Sequence, residues 1–135
     1  MPTPFAITRR VEFGDTDMAG IMHFANFFRF MEVAETAFLR SRGLSVAWSA
    51  DGHGYGFPRV SAACDFQKPL RFEDEVNIAV SVEKIGRKSI GYTFAFSLAG
   101  QPVAEGRMSS VYCRKVGGQF ESLDIPDAIR RQLEA

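Results

Sequence analysis

Asp15 and Asp17 stand in Gly14-Asp15-Thr16-Asp17-Met18-Ala19-Gly20, a stretch whose glycines and short acidic side chains favour a turn. A helical pattern follows within a few residues, entered through His23, Phe24 and Asn26. A carboxylate just ahead of a helix can carry out acyl transfer: it attacks an activated carbonyl or draws a proton from water. The first N–H groups of the helix are unpaired and lie at its positive end, so they can stabilise the oxyanion that forms. Asp17 fits the first role, and the backbone around His23 and Phe24 fits the second. The same residues also have plainer readings. Asp17 can be a turn or capping aspartate, and Asp15 a turn-stabilising one. Gly20 supplies either a positive φ or a close approach of backbone to substrate. Asn26 can cap the helix start or assist at the site. Glu32 is a solvated helix face unless a neighbouring subunit brings it to the pocket. His23 offers a ring to orient water, or only its N–H.

Other chemistries lack their residues. The sequence has no Gly-x-Ser-x-Gly elbow, no Cys-x-x-Cys and no His-Glu-x-x-His, so a serine hydrolase and a zinc site are not expected. Its two cysteines, Cys64 and Cys113, sit in strand-like runs and read as buried, inert thiols; His53, one of two histidines, reads as surface. Lys plus Arg and Asp plus Glu both number 16, and the zero net charge argues against a nucleic-acid surface. No apolar run approaches a membrane span, and Met1-Pro2-Thr3-Pro4-Phe5 does not read as a targeting signal. The expectation is a reduced, cytoplasmic protein with no metal and no membrane or nucleic-acid partner. No repeat or linker interrupts the 135 residues, which predict a single domain over 1–135.

The elements that must position Asp17 follow from periodicity. Residues 7–13 predict a strand in which Arg9 breaks the apolar face, as near an edge. Residues 24–42 predict a long helix with Phe27, Phe30, Met31, Ala34, Phe38 and Leu39 as its stripe, Arg29, Glu32, Glu35 and Arg40 mostly off it, and Gly43 as its stop. Residues 49–58 read as a loop around Gly52, Gly54 and Gly56. Strands are predicted at 59–66, 76–83, 89–98 and 103–114, with hairpins at Gly86-Arg87-Lys88 and Ala99-Gly100-Gln101-Pro102, and a short polar helix near 126–133. The sum is α+β: a five-stranded antiparallel sheet, read as one strand and then four in meander, packed on one long helix. One helix cannot cover both faces of a sheet, so self-association is expected.

From Val11 to Glu32 the chain resembles the signature of the 4-hydroxybenzoyl-CoA thioesterase family. That pattern is a strand, Asp-x-Asp-x-x-Gly followed by Ile or Val, an aromatic-rich turn, Asn and an acidic residue on the long helix. Phe66-Gln67-Lys68-Pro69-Leu70-Arg71-Phe72-Glu73-Asp74-Glu75-Val76 looks like the family's crossing between strands, and the resemblance covers nearly the whole chain. It implies the hotdog fold, a sheet wrapped around the long helix, and hydrolysis of an acyl- or aroyl-CoA to a carboxylate and free CoA. Asp17 is then the catalytic carboxylate, with Gly20, His23 and Phe24 beside it. The resemblance also implies that Arg87, Lys88 and Ser89 hold the coenzyme's phosphates, with Asn26 and Glu32 near the substrate. With no net field, a phosphate needs local cations of this kind, and Arg114-Lys115 and Lys68-Arg71 are further candidates. Phe24 departs from the 4-hydroxybenzoyl-specific enzymes, which carry a hydroxylated aromatic there. The implied assembly is a homodimer or homotetramer with the site between subunits, and no cofactor is implied beyond the CoA of the substrate. The rival readings are a hotdog hydratase or dehydratase, which needs a histidine and a carboxylate paired across the pocket, and a non-catalytic acyl-CoA or acyl-carrier binder.

Overall fold

In the computed structural model, which describes residues 5–135, the strands in chain order are β1 (Phe5–Arg10), β2 (Ala47–Ala50), β3 (His53–Gly56), β4 (Arg59–Phe66), β5 (Glu75–Ile85), β6 (Ser89–Leu98), β7 (Gln101–Val111), β8 (Cys113–Val116) and β9 (Gln119–Ser122). The helices are α1 (Ala25–Ser41) and α2 (Asp127–Glu134). The apolar stripe of α1 is buried as its spacing requires: Phe27, Phe30, Met31, Ala34, Phe38 and Leu39 are all in the core. Gly43, at a φ of 73°, ends the helix. Its N–H reaches Arg40 O (3.1 Å) while Leu44 N–H reaches Leu39 O (2.8 Å), the paired bonds of a Schellman turn.

β1, β5, β6, β7 and β4 hydrogen-bond in that order into an antiparallel five-stranded sheet that wraps α1. Its inner face presents Val76, Ile78 and Val80 from β5, and Ile90, Tyr92, Phe94 and Phe96 from β6, all buried. Each large apolar side chain so buried contributes roughly 1.5–3 kcal/mol, and this face is the main source of stability. Helix and sheet meet closely at Gly106, where an added Cβ would lie 2.7 Å from Met31 Sδ. Arg9 is accommodated because β1 is indeed an edge strand, and its guanidinium lies 5.2 Å from the centre of the Phe30 ring.

Several expectations change. The last four strands of the sheet are not a simple meander: β4 pairs with β7 at the far edge, and residues 67–74 cross the end of the sheet to β5. That connection is too long for a hairpin, and Leu70 anchors it in the core. The first strand stops at Arg10 instead of running to residue 13, because Asp15 folds the chain back. Its carboxylate accepts Glu12 N–H at 2.8 Å and its own N–H donates to Glu12 O, which makes a short 3-10 turn over Phe13–Asp15. Residues 49–58 are not a loop. Asp51 and Gly52, both at positive φ, turn β2 into β3, and these strands join β8 and β9 in a second, four-stranded sheet. The predicted strand at 103–114 breaks at Tyr112, whose N–H donates to Lys88 O at 2.8 Å and whose ring packs with Trp48, Tyr55 and Phe57. Glu35, placed off the helical stripe, is fully buried. The outer face of the large sheet carries Asn77, Ser81, Ala95, Glu105 and Arg107, all exposed, so it needs no apolar cover and gives no reason for self-association.

Candidate active site

The loop carrying Asp17 is a small antiparallel turn. Thr16 bridges to Met22, Asp17 N–H donates to Ile21 O (3.0 Å), and Gly20 N–H returns to Asp17 O (3.0 Å). Gly20 closes it at a φ of 81°, a conformation that favours glycine, and an added Cβ there would meet no protein atom. One Asp17 carboxylate oxygen accepts Ala19 N–H at 2.9 Å; the other has no protein donor among the described residues. Asp17 is thus both a turn aspartate and a carboxylate with an oxygen to spare.

The loop is fastened to the start of α1 through one carbonyl. Asp15 O accepts both His23 N–H (2.8 Å) and the Asn26 Nδ2 amide (2.8 Å). Asn26 is therefore committed to bracing main chain. His23 is committed twice, because its Nδ1 also accepts Ala25 N–H at 3.2 Å and caps the helix. Asn26 N–H turns back to His23 O. Among the described residues this leaves Phe24 N–H as the unpaired donor at the helix start, and the expectation of an oxyanion donor at His23 or Phe24 narrows to Phe24.

Asp17 and Phe24 face one cleft of about 480 Å³, lined also by Ile21, Met22, Phe27, Phe66, Gln67, Lys68 and Pro69. Its aromatic wall is continuous with the core. Phe24 meets Phe66 edge-on at 6.4 Å, Phe66 meets Phe27 at 5.0 Å, and Phe27 meets Phe96 at 5.3 Å. Met22 N–H to Leu70 O (2.7 Å) and the Gln67 and Lys68 N–H groups to Val103 O fix the wall to the sheet. Phe66 and Gln67 were not singled out in the sequence as site residues. The signal was present in the Phe66-to-Val76 crossing, but only the fold shows that its first residues return to Asp17. The His23 ring stacks on Phe24 at 4.7 Å, and among the described residues of one chain no histidine lines the cleft opposite Asp17.

The remaining expected residues lie elsewhere in the chain. Glu32 is exposed on α1. Arg87, Lys88 and Ser89 form the hairpin at the other end of the sheet, where Ser89 pairs with Val111, whereas the cleft adjoins the end where Phe96 pairs with Ala104. At about 3.4 Å per residue the two ends are roughly 24 Å apart. The hairpin backbone is held firmly, with Arg87 O accepting Ile125 N–H (2.9 Å) and Lys88 O accepting Tyr112 N–H. Arg87 also lies 3.4 Å from Asp124, both side chains being exposed, and Arg114 lies 3.4 Å from Glu121. A single chain therefore does not bring its carboxylate and its basic hairpin together.

Three buried polar groups were not foreseen. Glu35 accepts Arg59 Nε at 3.0 Å and Arg59 Nη2 on the same Oε1, while Glu35 Oε2, Tyr92 OH and Ser110 Oγ are buried without a partner among the described residues. Burial pushes the Glu35 carboxyl up against the opposing pull of Arg59. Burial and the nearby Glu35 likewise raise the Tyr92 phenol. Cys64 and Cys113 are both free thiols, Cys113 buried and Cys64 half-buried. Among the described residues no group of His, Cys, Asp and Glu is arranged to hold a metal, and no helix is long and apolar enough to cross a membrane.

Comparison with known proteins bears on the family and the fold. The model of the thioesterase-like superfamily matches residues 11–133. A protein of Aquifex aeolicus (strain VF5), named provisionally as an esterase, is 31% identical over 120 residues, covering 89% of this chain and 91% of its own. The 1,4-dihydroxy-2-naphthoyl-CoA hydrolase of Synechococcus sp. (strain WH7803) is 30% identical over 96% of this chain and 88% of its own. The structure of a gentisyl-coenzyme A thioesterase superposes with a TM-score of 0.81 at 30% identity, covering 93% of this chain and 99% of that one.

Proposed function

The chain belongs to the thioesterase-like superfamily and has its hotdog fold, and on that premise we propose that it is an acyl-CoA thioesterase, hydrolysing an acyl- or aroyl-CoA to a carboxylate and free CoA. The observation that carries the reading is that Asp17 and Phe24, whose N–H has no partner among the described residues, line one apolar cleft. The thioester carbonyl oxygen lies on Phe24 N–H, at the positive end of α1. Asp17 either attacks the carbonyl carbon, giving a mixed anhydride that water then hydrolyses, or takes a proton from the water that attacks it; the C–S bond breaks, and CoA leaves as the thiol with a proton that the water supplies. Gly20 shapes the Asp17 turn, and His23 and Asn26 hold that turn against the helix. The chemistry asks for no group beyond the CoA that the substrate brings. The relatives named for naphthoyl-CoA and gentisyl-CoA support an aromatic acyl group, as does the phenylalanine wall of the cleft.

The working unit in this reading is a homodimer or a higher assembly with the site between subunits. β4 is one of the two edges of the large sheet, and Val60 and Phe66 on it are 62% and 48% exposed. A second copy adding its β4 antiparallel about a twofold sets Arg59 opposite Phe66. That operation carries the Arg87-Lys88 hairpin of one copy, with Ser89, toward the Asp17 cleft of the other, where the coenzyme's phosphates lie. Glu32, exposed on α1, stands near the substrate only through the same operation. Two free thiols accord with a reducing cytoplasm as its place of work. Release of free thiol from a panel of aliphatic and aromatic acyl-CoAs tests the reading, and the aromatic thioesters are expected to turn over best. Failure on every member, with CoA esters bound but intact, would establish the non-catalytic binder instead.

A further inference from the structure

A second cleft, of about 560 Å³, opens at the end of the sheet away from Asp17 of the same chain, between β2, β3 and the tip of the small sheet. Its floor is aromatic: Trp48 and Tyr55 stack 5.8 Å apart at 13°, and Phe57 packs against Trp48 at 5.9 Å. Phe120 stands at the rim, 67% exposed. Among the described residues its cations are Arg59 and Lys115. Lys115 has no carboxylate partner among the described residues, and Arg59 has only Glu35.

Arg59 is held in an unusual way. Its Nε and Nη2 both donate to a single oxygen of Glu35, a carboxylate with no exposure to solvent, while about a third of the arginine side chain remains open toward the cleft. The fork therefore keeps Nη1 and one further N–H unused. Burying a carboxylate beneath an arginine costs desolvation and is a poor way to gain stability. It is an effective way to fix a guanidinium in one orientation at a surface. The aromatic shelf gives a planar group a face to stack on, and the pinned arginine gives an oxygen anion a donor pair at one end.

We propose that this cleft binds a planar aromatic ring bearing an anionic oxygen, with the ring on the Trp48–Tyr55 shelf and the oxygen on Arg59, which Glu35 positions from the core. Two parts of an aroyl-CoA share that chemistry: the oxygen-substituted acyl ring and the phosphorylated adenosine. The inference goes beyond the thioesterase reading, because the binding needs no turnover.

Trp48 is the only tryptophan of the chain, so its fluorescence reports on the cleft directly. The experiment titrates the full-length protein with 4-hydroxybenzoate and, separately, with adenosine 3′,5′-bisphosphate, exciting at the red edge of tryptophan absorption and correcting against free N-acetyltryptophanamide. Saturable quenching by the first assigns the cleft to the acyl ring, and by the second to the nucleotide. In either case Arg59→Gln is expected to weaken binding by about tenfold or more, the loss of a charge-assisted hydrogen-bond pair. Glu35→Gln, which frees the guanidinium without removing it, is expected to weaken it less. Circular dichroism checks that each variant is folded, and Arg59→Lys, which keeps the charge and loses the fork, gives a second reading if Arg59→Gln unfolds. Absence of saturation with both probes, or equal affinity in a folded Arg59 variant, overturns the proposal. A wild type that quenches but hydrolyses no thioester would leave the cleft assigned while removing the thioesterase reading.

Discussion

Gly106→Ala should push α1 off the sheet, and the size of the effect follows from the packing. An added Cβ lies 2.7 Å from Met31 Sδ, 2.9 Å from Cε and 3.3 Å from Cγ, where ordinary contacts begin near 3.4 Å. Met31 has no solvent exposure, so its side chain can yield only by displacing core neighbours. Overpacking of this kind costs about 1–3 kcal/mol, and the flexibility of methionine puts the expectation near about 1–2 kcal/mol. The assay is equilibrium urea unfolding, with the midpoint falling and the m-value unchanged. Met31→Ala alone should cost more, about 2–5 kcal/mol, for the cavity it leaves. In that background the added methyl of Gly106→Ala has room, so its cost should vanish or reverse, a coupling of about 1–2 kcal/mol in the double-mutant cycle. An unchanged midpoint for Gly106→Ala, or the same loss in both backgrounds, would refute the claim that helix and sheet are in contact at this point. The consequence reaches the site because α1 carries Phe24 N–H: a displaced helix should lower kcat more than it alters KM.

Other consequences are local. Asn26→Ala removes one of the two donors on Asp15 O and should cost about 1 kcal/mol in denaturant unfolding, with kcat reduced more than KM is raised, since the amide braces the loop that carries Asp17. Cys64 should alkylate slowly: burial, and then the adjacent Asp65, push its thiol up to about 11. Only about a thousandth is thiolate at pH 8, so the iodoacetamide rate should climb roughly tenfold per pH unit toward that value. Rapid labelling at pH 8 would contradict it. If the site is shared between subunits, mixing Asp17→Asn chains with Arg87→Ala/Lys88→Ala chains should restore activity that neither has alone, because each mixed dimer holds one intact site. Absence of any recovery after confirmed subunit exchange would place carboxylate and cations in one chain's reach, against the roughly 24 Å that separates them along the sheet.

The parts of this molecule that repeat were legible in its residues. Ile78 and Val80 alternate with Asn77 and Ala79, and Phe27, Phe30, Met31, Ala34 and Phe38 recur at helical spacing, because one face of each element must leave water. The turn at Asp17 was legible for a similar reason, its signal being carried by adjacent residues. What failed was non-local. Nothing near Glu35 in the chain marks it as buried; its partner Arg59 lies on another element, and only the fold unites them. The placement of β4 beside β7 depends on how residues 67–74 cross the sheet, which no local periodicity encodes. The β2–β3 hairpin was missed although Asp51-Gly52 is a strong hairpin dipeptide, because the glycines around it hid strands held by aromatic stacking. The basic hairpin at Arg87-Lys88 was visible as charge, yet its distance from Asp17 was not, since sequence gives the ends of strands but not which ends meet.

The central claim, that Asp17 performs the chemistry while Phe24 N–H holds the oxyanion, is tested most directly by Asp17→Asn. Asparagine keeps an oxygen for Ala19 N–H, so the turn is retained and only the carboxylate is lost. The measurement is thiol release from the best aroyl-CoA of the panel, with KM and kcat resolved for wild type and variant. The account predicts a kcat lower by about a hundredfold or more at little changed KM. Turnover undiminished in the folded variant would contradict it and remove Asp17 from the mechanism.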